Sequence, residues 1–252
     1  MITRLLISLL LLCSSVASAA ELTDMETRWL TAGSAMLKYA KKELKLPIDV
    51  IVQPTGKPTD VPLALGFQDG RCKLVLTMRG RTNVEDVLAT VPAEQRPLMI
   101  EAMFAHEVGH CWRYVQGEWH ALPAGFEEPA DHANHTNHNQ AQAQAQELEQ
   151  TRREEGFADL AALAWMQQRH PEQYGAVAKW MRQVRQPSPA SAGAVVGSHT
   201  TVAWLQLAPT GAAFAAELPL FEQASSLWQR GLLDQDARQD ARQGQRQASL
   251  QR

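Results

Sequence analysis

Apolar residues recur at spacings of three and four through Leu22, Met25, Trp29, Ala32, Met36 and Tyr39. That period predicts an amphipathic helix over 22–46, ended by Pro47. Ile48–Val52 is a β-branched run and predicts a strand. Residues 53–70 carry Pro and Gly repeatedly and read as loop. Cys72–Met78 predicts a second strand, closed by Gly80. A second long helix has Pro97 in its first turn and Gly117 as its stop. Met99, Met103, His106 and His110 share one of its faces.

The pattern breaks over 118–150. Pro123, Gly125 and Pro129 interrupt it, and three histidines (His132, His135, His138) and an Ala-Gln repeat to Gln146 follow. The stretch 128–150 reads as a low-complexity His/Gln segment, a mobile insertion or lid. Thr151-Arg-Arg-Glu154 matches a capping box and predicts that order returns there. A helix is expected over 155–169, ended by Pro171, and another over 172–185. Residues 186–198 are Pro/Ser/Ala/Gly-rich loop, and periodicity does not decide between helix and strand for 200–207. Residues 222–252 form a polar Gln/Arg-rich tail, with Asp-Ala-Arg-Gln twice from Asp234. The tail is a candidate contact for a protein partner.

The first residues add a destination. Arg4, an apolar run from Leu5 to Leu12 and a small-residue end up to Ala20 read as a signal peptide over 1–19, with Ala17 and Ala19 meeting the A-x-A pattern. The apolar run is short for a membrane span, which needs about 20 residues. The expectation is an exported chain, periplasmic or secreted, with no stable span after cleavage. Its packed domain covers 20–221. Removing 1–19 takes one Arg from 24 Lys+Arg, leaving 23 against 27 Asp+Glu, a net charge of −4. Such a surface has no basic field, and nucleic acid is not expected as a partner. Cys72 and Cys111 survive processing and are a candidate disulfide in an oxidising compartment; the alternative is two separate buried thiols.

Residues 106–110 read His-Glu-Val-Gly-His, an H-E-x-x-H run on a helix with apolar flanks. Imidazoles four residues apart leave one helix face together and can grip one Zn²⁺. Glu107 can take a proton from the attacking water and deliver it to the leaving amine. A catalytic zinc has three protein ligands and an open position. Glu155 is the candidate third ligand. Asp159, one turn on, is the candidate acceptor for the far ring N–H of a ligand histidine, expected to be His106. The rivals are His120, His132, His135 and His138. Arg113 and Gln116 stand where a metzincin would have Gly and His, so that form is excluded. Glu154, as the capping-box residue, leaves Glu155 free.

H-E-x-x-H on one helix, followed after an insertion by E-x-x-A-D on a second, resembles the gluzincin zinc peptidases. Glu155-Gly-Phe-Ala-Asp159-Leu-Ala is similar to the second motif of the family of CAAX-prenyl proteases and periplasmic chaperone-like metalloproteases. Gly197-Ser-His199-Thr-Thr resembles a degenerate form of that family's Ser/Thr-His-Pro segment, without the proline and without the arginine that follows. Ala203-Trp204 stands about there. The 44 residues between His110 and Glu155 exceed a simple gluzincin linker. The resemblance implies a zincin-like α+β fold, with a small mixed or antiparallel sheet packed on the metal helix and a mostly helical second half. It also implies that the strand Lys73–Met78 is the edge along which an extended substrate lies.

The leading expectation is a zinc-dependent endopeptidase acting on a peptide or protein substrate. Glu107 is its general base and acid, and His199 is a donor to the carbonyl oxygen, with Tyr174 and Arg182 as weaker candidates for that donor. The alternative is a non-catalytic zinc-binding or chaperone-like periplasmic protein on a zincin scaffold, for which Glu107 has no use.

Overall fold

The computed structural model describes residues 21–57, 60–126, 140–186 and 199–234. The proposed signal peptide 1–19, His132, His135, His138 and the tail from 235 lie outside them.

Helix α1 (Asp24–Lys42) starts at a capping box: the Glu26 backbone N–H donates to Thr23 Oγ1, and Thr23 N–H donates back to the Glu26 carboxylate. It ends before Pro47, and Lys45 takes a left-handed φ of 55° between them. Strand β1 (Ile48–Val52) follows as expected. Strand β2 (Leu63–Gln68) corrects the loop expected over 53–70. Asp69 and Gly70, with φ of 53° and 71°, turn the chain tightly into β3 (Arg71–Leu76). Asp-Gly favours such a turn because both central residues need positive φ. The sheet is mixed, in order β1-β3-β2, with β1 parallel and β2 antiparallel to β3. The strand expected at the edge, 73–78, is therefore the central one. Among the described residues the edges are β1 and β2.

Helix α2 (Arg96–Val115) carries Pro97 in its first turn and is the hub: α1, β2, β3 and the next helix pack on it. Cys72 of β3 and Cys111 of α2 are disulfide-bonded and fully buried. Helix α3 runs Gln140–Arg169, without a break at Thr151. This corrects two readings: residues 140–150 of the insertion are helical, and Thr151 does not cap. Its hydroxyl donates to the Glu147 carbonyl a turn earlier, and Glu154 is instead buried against Arg113. Helix α4 (Tyr174–Val184), the short α5 (Val202–Leu205) and a helix α6 over 220–234 complete the second half. Ala224, Leu227, Trp228 and Leu232 of α6 are buried, so the packed domain extends past residue 221. Trp228 donates its ring N–H to the Arg153 carbonyl at 2.8 Å and stacks near Trp204. The architecture is α+β, mostly helical. No helix among the described residues is long and apolar enough to cross a membrane.

Candidate metal centre

Two helices build the site. On α2, His106 and His110 stand one turn apart with ring centroids 4.6 Å from each other. On α3, Glu155 and Asp159 stand one turn apart. The helices meet where Gly109 faces Ala158 and Ala161. A Cβ on Gly109 would lie 3.1 Å from Ala161 Cβ and 3.2 Å from Ala158 Cα. The missing side chain lets the helices close enough for the four polar groups to converge.

His106 Nε2 lies 3.1 Å from His110 Nε2 and 3.3 Å from a Glu155 carboxylate oxygen; His110 Nε2 lies 3.5 Å from the other. Two imidazoles and a carboxylate about 2.0–2.1 Å from a tetrahedral zinc would be separated by about 3.3 Å. The donor set therefore fits that ion in both type and spacing. His106, His110 and Glu155 are the cluster among the described residues that can share one metal. His120 is not part of it; its N–H donates to Glu154 at 2.9 Å.

Asp159, fully buried, sits behind His106 with Oδ1 2.9 Å from Nδ1. That contact leaves Nε2 facing the shared space. Asp159 is held in turn by Arg185, from the C-terminal end of α4, at 2.8–3.2 Å, and by the Thr201 hydroxyl. Arg185 also comes within 3.6 Å of Glu155 and 3.3 Å of His106. His110 differs: its buried Nδ1 has no partner among the described residues.

The ionisation states follow from this crowding. Burial opposes a charge on His106, but hydrogen bonds to Asp159 and Glu155 outweigh it and push the ring up to about 10. Burial raises Asp159, but the Arg185 charge and the His106 bond overcome it and hold the carboxyl at about 2. Burial likewise works against Glu155, whose bonds to His106, His110 and His199 keep it far below the usual carboxylate range. Glu107 is half-buried, and burial pushes it up. No hydrogen bond or ion pair engages Glu107 among the described residues. With Glu107 ionised and His106 neutral, as a metal ligand must be, three carboxylates face one guanidinium, and the two unbalanced negative charges are what a divalent cation cancels.

His199 lies at the exposed rim, its side chain 65 % accessible, with Nδ1 2.8 Å from Glu155. Tyr174 is turned away and donates to the Ala208 carbonyl at 2.8 Å. Arg185, not Arg182, is the arginine that α4 brings to the site. Sequence reading missed it because its partners lie 26 and 79 residues away. The only available signal was a lone arginine at a helix end. An open cleft of about 610 Å³, lined by Val87, Val91, Met99, Trp180 and Val184 among others, lies apart and contains none of the clustered groups.

Comparison with protein-family models, with curated proteins and with solved structures finds no match to this chain.

Proposed function

We propose that the chain is an exported, zinc-dependent endopeptidase on a zincin-like core. The observation that carries the reading is the triangle of His106, His110 and Glu155, with separations of 3.1–3.5 Å, backed by Asp159 and flanked by Glu107, which hydrogen-bonds to none of the described residues. A zinc ion held there would polarise a scissile carbonyl and acidify water. The protein's own residues supply the rest. Glu107 withdraws a proton from water as its oxygen adds to the carbonyl carbon. The same carboxyl then gives that proton to the nitrogen as the C–N bond breaks. Its raised affinity for protons suits a group that must hold one between the two steps. Asp159 fixes the His106 tautomer, and Arg185 and Thr201 fix Asp159. His199, at the open rim, is the donor proposed for the carbonyl oxygen. The outer edge of β2, next to α2 and without a strand partner among the described residues, offers backbone pairing for an extended substrate. Export is supported by the apolar start of the sequence and by the Cys72–Cys111 bridge, which persists in an oxidising compartment.

The test is zinc content and casein hydrolysis by the purified protein and three variants. One zinc per chain should be kept in His120→Ala and Glu107→Gln and lost in Glu155→Ala, with hydrolysis lost in Glu107→Gln. Zinc binding indifferent to Glu155 removes the assigned third ligand. Zinc-replete protein without hydrolysis leaves the non-catalytic zinc-binding reading in its place.

A further inference from the structure

The loop that leaves α2 is fixed by more polar structure than a simple connection needs. Arg113, 3 % exposed, donates to Glu154 at 2.8 and 3.1 Å and to the carbonyls of Glu118 and Ala121 at 2.7 and 2.8 Å. Glu154 also accepts the His120 N–H. His120 itself is held at a φ of 61°, a left-handed conformation that costs a side-chain-bearing residue energy. The outcome of these restraints is the position of Trp119. Its ring centroid lies 5.4 Å from His110 and 5.0 Å from Phe67, and Phe67 stacks on Tyr114 at 3.9 Å. All three aromatic residues are partly exposed. Phe67 belongs to β2, whose outer edge has no strand partner among the described residues. An apolar wall thus begins at one ligand histidine and continues along the free edge strand. The flank beyond His106 has the opposite character, with Asp159, Arg185, Thr201 and His199.

We propose that Trp119, with Phe67 and Tyr114, forms a subsite that selects a large apolar or aromatic side chain beside the scissile bond of an extended peptide. The inference rests on the peptidase reading above. A peptide paired along β2 directs alternate side chains to the same face, and one of them meets this wall next to the reacting carbonyl. Ring edges and faces at these separations favour a further aromatic or bulky aliphatic partner. Trp119 is a specificity-determining residue; the chemical step belongs to Glu107.

Two measurements on the zinc-loaded full chain test it. The first is binding of labelled pentapeptides Ala-Ala-X-Ala-Ala, with X as Phe, Leu, Ala or Asp, to the Glu107→Gln protein by fluorescence polarisation. The Phe and Leu peptides should bind about tenfold more tightly than the Ala peptide. Adding Trp119→Ala should erase that difference without changing zinc content, and Trp119→Phe should restore most of it. The second is mass spectrometry of casein cut by the otherwise wild-type chain. Large apolar residues should be enriched on one side of the cut bonds, and Trp119→Ala should flatten the enrichment while cleavage continues. Should Trp119→Ala fail to fold, Phe67→Leu carries the same test. Cleavage with no preference, or a preference that survives loss of Trp119, overturns the subsite and leaves the peptidase reading standing. No cleavage, with Trp119-dependent peptide discrimination, overturns the peptidase reading alone. No cleavage and no discrimination overturns both.

Discussion

Breaking the Cys72–Cys111 bridge separates two contributions that meet at one residue, because Cys111 directly follows His110, a proposed metal ligand. The bridge closes a loop with a sequence separation of 39. Loop-closure entropy for that length gives about 4 kcal/mol of stabilisation, chiefly through the unfolded chain. For a domain of this size, each kcal/mol moves Tm by about 2–4 °C. Reduction, or Cys72→Ala/Cys111→Ala, should therefore lower Tm by about 8–16 °C in calorimetry or a circular-dichroism melt. The spacing of the proposed ligands has a different origin, the contact of Gly109 with Ala158 and Ala161. Reduced protein held well below its new Tm should accordingly keep one zinc per chain by metal analysis. A Tm drop below about 3 °C, with the bond verified by mass spectrometry in the oxidised sample, would refute the loop-entropy reasoning. Loss of zinc from folded, reduced protein would show that the bridge, rather than the helix contact, sets the site.

Three further outcomes follow from particular contacts. Gly156→Ala should destabilise by about 1–3 kcal/mol in urea titration, because the new Cβ would fall 2.5 Å from the Trp204 ring; helix propensity alone predicts a gain of about 1 kcal/mol, so a more stable variant would deny the close packing. Asp159→Asn should keep zinc stoichiometry but weaken affinity about 10–100-fold in competition with a chelator, and unchanged affinity would remove its role behind His106. Hydrogen bonding to Arg79 holds Glu26 below its ordinary value of 4.5 against the cost of burial, so its contribution to stability is present above that value and lost as pH falls through the lowered one. In acid titrations followed by circular dichroism, Arg79→Met should remove that component of the pH dependence; identical acid limbs would disprove it.

Where local pattern decides the outcome, the sequence was enough. The period from Met25 to Tyr39, the β-branched run Ile48–Val52, and Pro97 with the apolar face behind it all specify their elements through nearest-neighbour chemistry. The motif spacings likewise place His106 with His110, and Glu155 with Asp159, on single helix faces. Three misreadings came from weighing one signal over another. Pro and Gly around residues 53–70 hid β2, although Asp69-Gly70 is a hairpin signal. The Ala-Gln repeat was taken as low complexity, although Ala and Gln are good helix formers, and α3 runs through it past Thr151. Leu220, Ala224, Leu227, Trp228 and Leu232 have helical spacing, yet the polar residues after Asp234 dominated the reading of that end. Arg185 and Trp119 belong to a different case. Each reaches the site through tertiary packing from a helix end or a loop, and no local pattern marks such a residue.

The convergence at the candidate metal centre can be followed to one helix crossing. His106, Gly109 and His110 occupy positions i, i+3 and i+4 of α2; Glu155, Ala158 and Asp159 occupy the same positions of α3. Each triplet forms one face. The small residue at the middle position of one meets the small residue at the middle position of the other, with Ala158 Cα 3.2 Å from the place a Gly109 Cβ would take. Ordinary helix pairs keep their axes about 8–10 Å apart because side chains fill the crossing. Here the crossing holds almost none, so the flanking polar side chains meet across it, with His106 Nε2 and His110 Nε2 3.3 and 3.5 Å from the Glu155 carboxylate. The glycine of His-Glu-Val-Gly-His thus acts on the site without touching a ligand. A larger residue at 109 should lower metal affinity even while every ligand and Asp159 remain in place.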